Sequence, residues 1–128
     1  MHLHKIGWVG TRTDKPEEMA ELFGSVLGIP FSHREEAFWV FQLPDGSKVE
    51  VFGPGSENRH FTTGPVPGFL VDDVDAATEE LRSAGIPIVS GPIRWGGEDD
   101  VSWVHFRAPD GAVYELTQGR DLMQPSPN

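Results

Sequence analysis

The sequence has no cysteine in its 128 residues. That excludes a disulfide framework, thiolate zinc sites and cysteine nucleophiles, and it fits a reducing, cytoplasmic setting. There is no basic excess: 10 Lys and Arg stand against 20 Asp and Glu, a formal net charge of −10. A nucleic-acid binder needs a cationic stripe for phosphates, so nucleic acid is excluded as a partner. An acidic domain suits a neutral ligand held by local contacts, or a cationic one. No apolar run approaches the ~20 residues of a membrane span. The opening MHLHKIGWVG has neither a long apolar core nor a cleavage signature, so no secretory leader is expected. Phosphate-cradling glycine loops, serine-triad motifs and zinc-protease motifs are also missing.

What is present suits one globular domain, with 38% apolar and 23% charged residues. Its organisation shows in a repeat. Leu43-Pro44-Asp45-Gly46-Ser47-Lys48-Val49-Glu50-Val51 and Ala108-Pro109-Asp110-Gly111-Ala112-Val113-Tyr114-Glu115-Leu116 both read as strand, tight turn, strand. Upstream, residues 16–27 carry a helical stripe (Met19, Leu22, Phe23, Val26, Leu27), with Asp14 as the expected cap and Gly28 as the stop. Residues 74–84 repeat it with Asp73 as cap and Gly85 as stop, and both helices end in Gly-Ile-Pro. A strand precedes each helix (5–13 and 68–72). Three follow each, at about 31–36, 37–43 and 47–53, then 86–90, 101–107 and 112–118.

The fold expected is therefore α+β: two tandem βαβββ modules forming a curved mixed sheet around a cleft. The modules span 1–56 and 64–118 within one domain of residues 1–118, and 119–128 form a flexible tail. A ferredoxin-like sandwich without duplication is the alternative. A lone module leaves one sheet face bare, so the two must pack on each other or on a second chain, and a homodimer is expected to cover exposed edges.

The turns fix the register, and register fixes the facing. A bulged turn at Gly46 makes cross-strand partners sum to 90, so Val40 opposes Glu50; in the second hairpin the sum is 220, so His105 opposes Glu115. Opposed residues share a face, and alternation adds Trp103, Lys48 and Phe52 to it.

Strand, helix ending in Leu-Gly or its equivalent, then Pro-Asp-Gly and Glu in a hairpin, twice over, resembles the vicinal-oxygen-chelate superfamily (glyoxalase, bleomycin-resistance protein, extradiol dioxygenase) across residues 3–118. Phe69-Leu70-Val71-Asp72-Asp73-Val74-Asp75 and Phe106-Arg107-Ala108-Pro109-Asp110-Gly111 are similar to its second-module phrases. The resemblance implies metal-ligand positions on the last strand of each module, matching Glu50 and Glu115, and on the first, matching Trp8 and Val66. Indole and isopropyl groups cannot coordinate, so the usual metal site is degenerate and no cofactor is expected; only Glu50, Glu115 and His105, or His4, remain as weak metal candidates. In the similar fosfomycin-resistance proteins, the position of His105 carries a cleft residue.

Two functions stay open. One is a glyoxalase-like lyase or isomerase acting by proton transfer on a small oxygenated molecule, with Glu115, His105 and Glu50 as catalytic residues. Here Glu115 would orient His105 and raise its pKa. Two carboxylates close together without a cation would also leave one protonated near neutral pH. The other is a non-catalytic bleomycin-resistance-like binder of a cationic or aromatic ligand held by Trp8, Trp103, Val66 and Trp95. Trp39 reads as core, residues 95–100 as a loop that could close over the cleft, and His60 as a linker residue; His2 and His33 have no evident partners.

Overall fold

The computed structural model describes residues 1–55, 61, 64–95 and 101–119. The expected lid residues 96–100, His60 and the tail from Arg120 lie outside that set. Eight strands run in the order β2-β3-β4-β1-β5-β8-β7-β6 in one mixed sheet. They are β1 Ile6–Arg12, β2 Phe31–Glu35, β3 Phe38–Gln42, β4 Lys48–Phe52, β5 Val66–Leu70, β6 Ile88–Trp95, β7 Val101–Arg107 and β8 Val113–Gln118. Each module pairs its first strand in parallel with its last, β1 with β4 and β5 with β8. The modules meet edge to edge where β1 and β5 run antiparallel. That seam joins the two modules of this chain into a single sheet.

The two hairpin turns are built alike. Gly46 (φ 88°) and Gly111 (φ 89°) supply the left-handed conformation that closes each turn. The Asp45 and Asp110 carboxylates accept the N–H of Ser47 and Ala112 at 2.9 and 3.0 Å. The resulting registers pair Val40 with Glu50 and His105 with Glu115, as the turn arithmetic requires.

The outer face carries two cores. On one, α2 (Val74–Ser83) lays Val74, Ala77 and Leu81 against Val104 and Leu116. Its cap is as expected: the Asp73 carboxylate accepts the Ala76 N–H at 3.0 Å. The other packs Met19, Ala20 and Phe23 against Trp39, Phe41, Val49 and Val51, so Trp39 is core.

Three expectations are corrected here. The first helix is α-helical only over α1 (Pro16–Glu21), then widens into a π-turn over Leu22–Val26. Widening rotates the later residues off the stripe, so Leu22, Val26 and Leu27 stay exposed instead of packing. Its cap is not Asp14: Lys15 occupies the cap position without a side-chain bond, and the Thr13 hydroxyl accepts the Lys15 N–H at 3.1 Å. The strand expected at 68–72 begins two residues earlier, because Val66 and Pro67 pair with Gly10 and Val9. Pro67 is tolerated because pairing to β8 starts only at Gly68, so its missing N–H breaks no ladder bond on that side.

Candidate active site on the concave face

On the inner face, β1 contributes Trp8, Gly10 and Arg12 by alternation, and β4 contributes Lys48, Glu50 and Phe52. From the second module come Val66 and Gly68 of β5, Trp103 and His105 of β7, and Glu115 of β8. Gly10 is the parallel partner of Glu50, and Gly68 is that of Glu115. The two glycines are equivalent positions of the two modules, and both are needed for room. A Cβ on Gly10 would lie 2.0 Å from the Trp8 ring; one on Gly68 would lie 2.7 Å from Oε2 of Glu115.

The vacated space is filled by rings. Trp8 lies flat over Gly10 and stacks with Phe52 and with His105, each at 6.5 Å between centroids. Phe61 closes on Trp8 and sits edge-on to His105 at 4.8 Å. Trp8, Phe52, Phe61, Val66 and Val113 form one buried cluster. Trp8 and Val66, expected to line the ligand site, are packed within this cluster. Trp103 is half-buried on the same face, while Trp95 ends β6 exposed.

Beneath these rings, Nε2 of His105 lies 2.8 Å from Oε1 of Glu115. The two residues are only 2% and 4% exposed. Burial penalises charge on both: it pushes the Glu115 carboxyl well up and the His105 imidazole down to about 4. This reverses the expected raising of the His105 pKa by its carboxylate neighbour; desolvation outweighs that attraction where both groups are sealed. The pair expected at the working end of the cleft is thus enclosed by its neighbours.

Glu50 differs. It is only half-buried, and burial followed by repulsion from Glu115 pushes its pKa up to about 7. A hydrogen bond from Trp8 and the charges of Lys48 and His33 act in the opposite direction. A carboxyl poised near neutrality can both take and return a proton.

The remaining histidines lie elsewhere. His4 Nε2 sits 2.8 Å from Asp72 and does not join the carboxylates. His33, expected to be unpartnered, has Nε2 3.2 Å from Glu35. A divalent metal does not fit this donor set. Trp8 and Val66 offer no ligand atoms, Glu115 is engaged by His105, and no three ligating side chains converge among the described residues. Sequence reasoning missed Gly10, Gly68, Phe61 and Arg12. Alternation along 5–13 from Trp8 would have found Gly10 and Arg12.

No curated protein matches the chain. Solved structures do. The Mn(II)-bound glyoxalase from Novosphingobium aromaticivorans superposes with a TM-score of 0.74 at 16% identity, over 98% of this chain and 42% of that one. Methylmalonyl-CoA epimerase from Mycobacterium tuberculosis gives 0.67 at 22% identity, over 98% and 90%. A glyoxalase/bleomycin resistance protein/dioxygenase superfamily member from Vibrio splendidus 12B01 gives 0.64 at 17%, over 87% and 95%. At such identities the likeness is one of fold. The family model, however, matches residues 5–116, nearly the whole described sheet, and the chain belongs to the Glyoxalase/Bleomycin resistance protein/Dioxygenase superfamily.

Proposed function

We propose that the protein is a glyoxalase-like isomerase or lyase that moves a proton on a small oxygenated organic molecule, with Glu50 as the general acid–base. The carrying observation is a half-buried carboxyl on the concave face, pushed up to about 7, beside the sealed Glu115–His105 pair. Glu50 as carboxylate removes a proton from a carbon next to a carbonyl; as carboxylic acid it returns one, to the same carbon or its neighbour. Glu115 and His105 act from behind. They are buried away from any substrate, and Glu115 helps to raise the proton affinity of Glu50. The rings of Trp8, Phe52 and Phe61 exclude water on one side. That the fold neighbours include an epimerase and a glyoxalase supports reaction chemistry of this class.

The test is solvent deuterium exchange into a panel of 2-oxo acids, 2-hydroxy ketones and acyl thioesters, followed by proton NMR. Exchange should rise with pH through about 7 as Glu50 ionises. Glu50→Gln should slow it by about 100-fold or more, the usual size of a lost acid–base group. Binding of a panel member with no exchange above the Glu50→Gln level would sink the catalytic reading and leave a binding protein.

A further inference from the structure

Arg12 is the last residue of β1 and shares the concave face with Trp8 and Gly10. It pairs with Phe52, one step beyond the Gly10–Glu50 pair, so its Cα lies about 7–8 Å from that of Glu50 by strand geometry. Its Nε–H is shut off from solvent and has no hydrogen-bond partner. No carboxylate among the described residues pairs with its guanidinium.

The other described arginines are all engaged. Arg82 and Arg94 pair with Glu79 and Asp75, Arg107 donates to the Gly111 carbonyl, and Arg34 lies over the Trp39 ring. In a chain with twice as many acidic as basic residues, an unpaired arginine is a conspicuous exception. Arg12 as a whole is only half-buried, and a guanidinium with no acceptor partner favours an incoming anion. The planar fork of donors suits a carboxylate in particular.

We propose that Arg12 anchors the carboxylate of a small organic acid on the concave face, with the acid's reactive carbon turned towards Glu50. This rests on the reading of Glu50 as the acid–base group, and it narrows the substrate class to carbon acids bearing a carboxylate. The net charge of −10 does not oppose this. Screening at physiological salt acts beyond about 8 Å, so the nearest cation decides.

The experiment titrates the protein with pyruvate, lactate and malonate, with pyruvamide as the uncharged counterpart of pyruvate and with inorganic phosphate. Binding is read by calorimetry and by the Arg12 Nε–H resonance in 15N-labelled protein. At least one carboxylate should shift that resonance, and pyruvate should bind at least tenfold more tightly than pyruvamide. Arg12→Met should lose that preference, and Arg12→Lys should keep part of it. If either variant misfolds, the Nε–H shift in the native protein still decides. Equal binding of pyruvate and pyruvamide, no binding by any carboxylate, or phosphate binding more tightly than every carboxylate would each overturn the proposal. Binding intact with no proton exchange in the native protein would remove the catalytic reading and leave the anchor standing.

Discussion

Burial opposes charge on both Glu115 and His105, and substitutions separate an uncharged pair from an ion pair there. An amide at 115 still offers a donor to Nε2, so Glu115→Gln should cost less than about 1 kcal/mol in urea unfolding. If a carboxylate faced an imidazolium there, the same change would strand a buried charge at about 3–5 kcal/mol. His105→Ala removes the acceptor and opens a hole, and should cost about 2–4 kcal/mol. Linkage gives a second handle. His105 is held at about 4 against about 6.5 unfolded, so the unfolded chain binds the extra proton in that interval. Its contribution to stability is lost as pH falls from about 6.5 towards 4. Glu50 has the opposite sign: with a folded value near 7 against 4.5, the native chain holds the extra proton, and stability falls as pH rises through that window. Glu50→Gln should therefore gain on the native protein by about 2–3 kcal/mol between pH 5 and pH 8. Parallel stability curves for the two proteins over that range would contradict the raised value.

At the level of elements, much is legible in the sequence. Each Pro-Asp-Gly turn dictates its register through one glycine and one aspartate, so the facing of Glu50 and Glu115 could be counted from the turn. Asp73 announced its helix because Asp before Val-Asp-Ala-Ala is a strong cap signal, and the structure gives it the bond that the signal implies. The first helix was harder. Asp14 has the right residue type, but Thr13 takes the bond, and nothing in the local pattern distinguishes them. Asp73→Ala should cost about 1 kcal/mol in thermal or urea unfolding, whereas Asp14→Ala should stay within about 0.5. Equal losses would restore Asp14 as a cap. The π-turn was illegible for a different reason. Periodicity assumes 3.6 residues per turn, and Gly24, held against Phe41 where a Cβ would be 3.1 Å from the ring, belongs to a segment that departs from it. The site was read only halfway: residue facing follows from register, but which buried group keeps its charge depends on how rings close over it. Phe61 comes from the linker between the modules, and no alternation rule reaches there.

For the whole molecule, the decisive feature is the seam between β1 and β5. Ile6 pairs with Phe69 and Gly10 with Val66, so this ladder joins segments more than fifty residues apart along the chain. Every other ladder lies within one module. Trp8 and Glu50 arrive from one side of the seam, His105 and Glu115 from the other. Neither half of the chain contains the site. Closing so long a loop carries the largest entropic cost of any strand ladder among the described residues, and non-local pairings of this kind slow folding. The hairpins can form early and independently, but the seal over His105 and the proton affinity of Glu50 come into being only when the seam zips. In a refolding experiment, competence is thus a reporter of the last event, not of collapse.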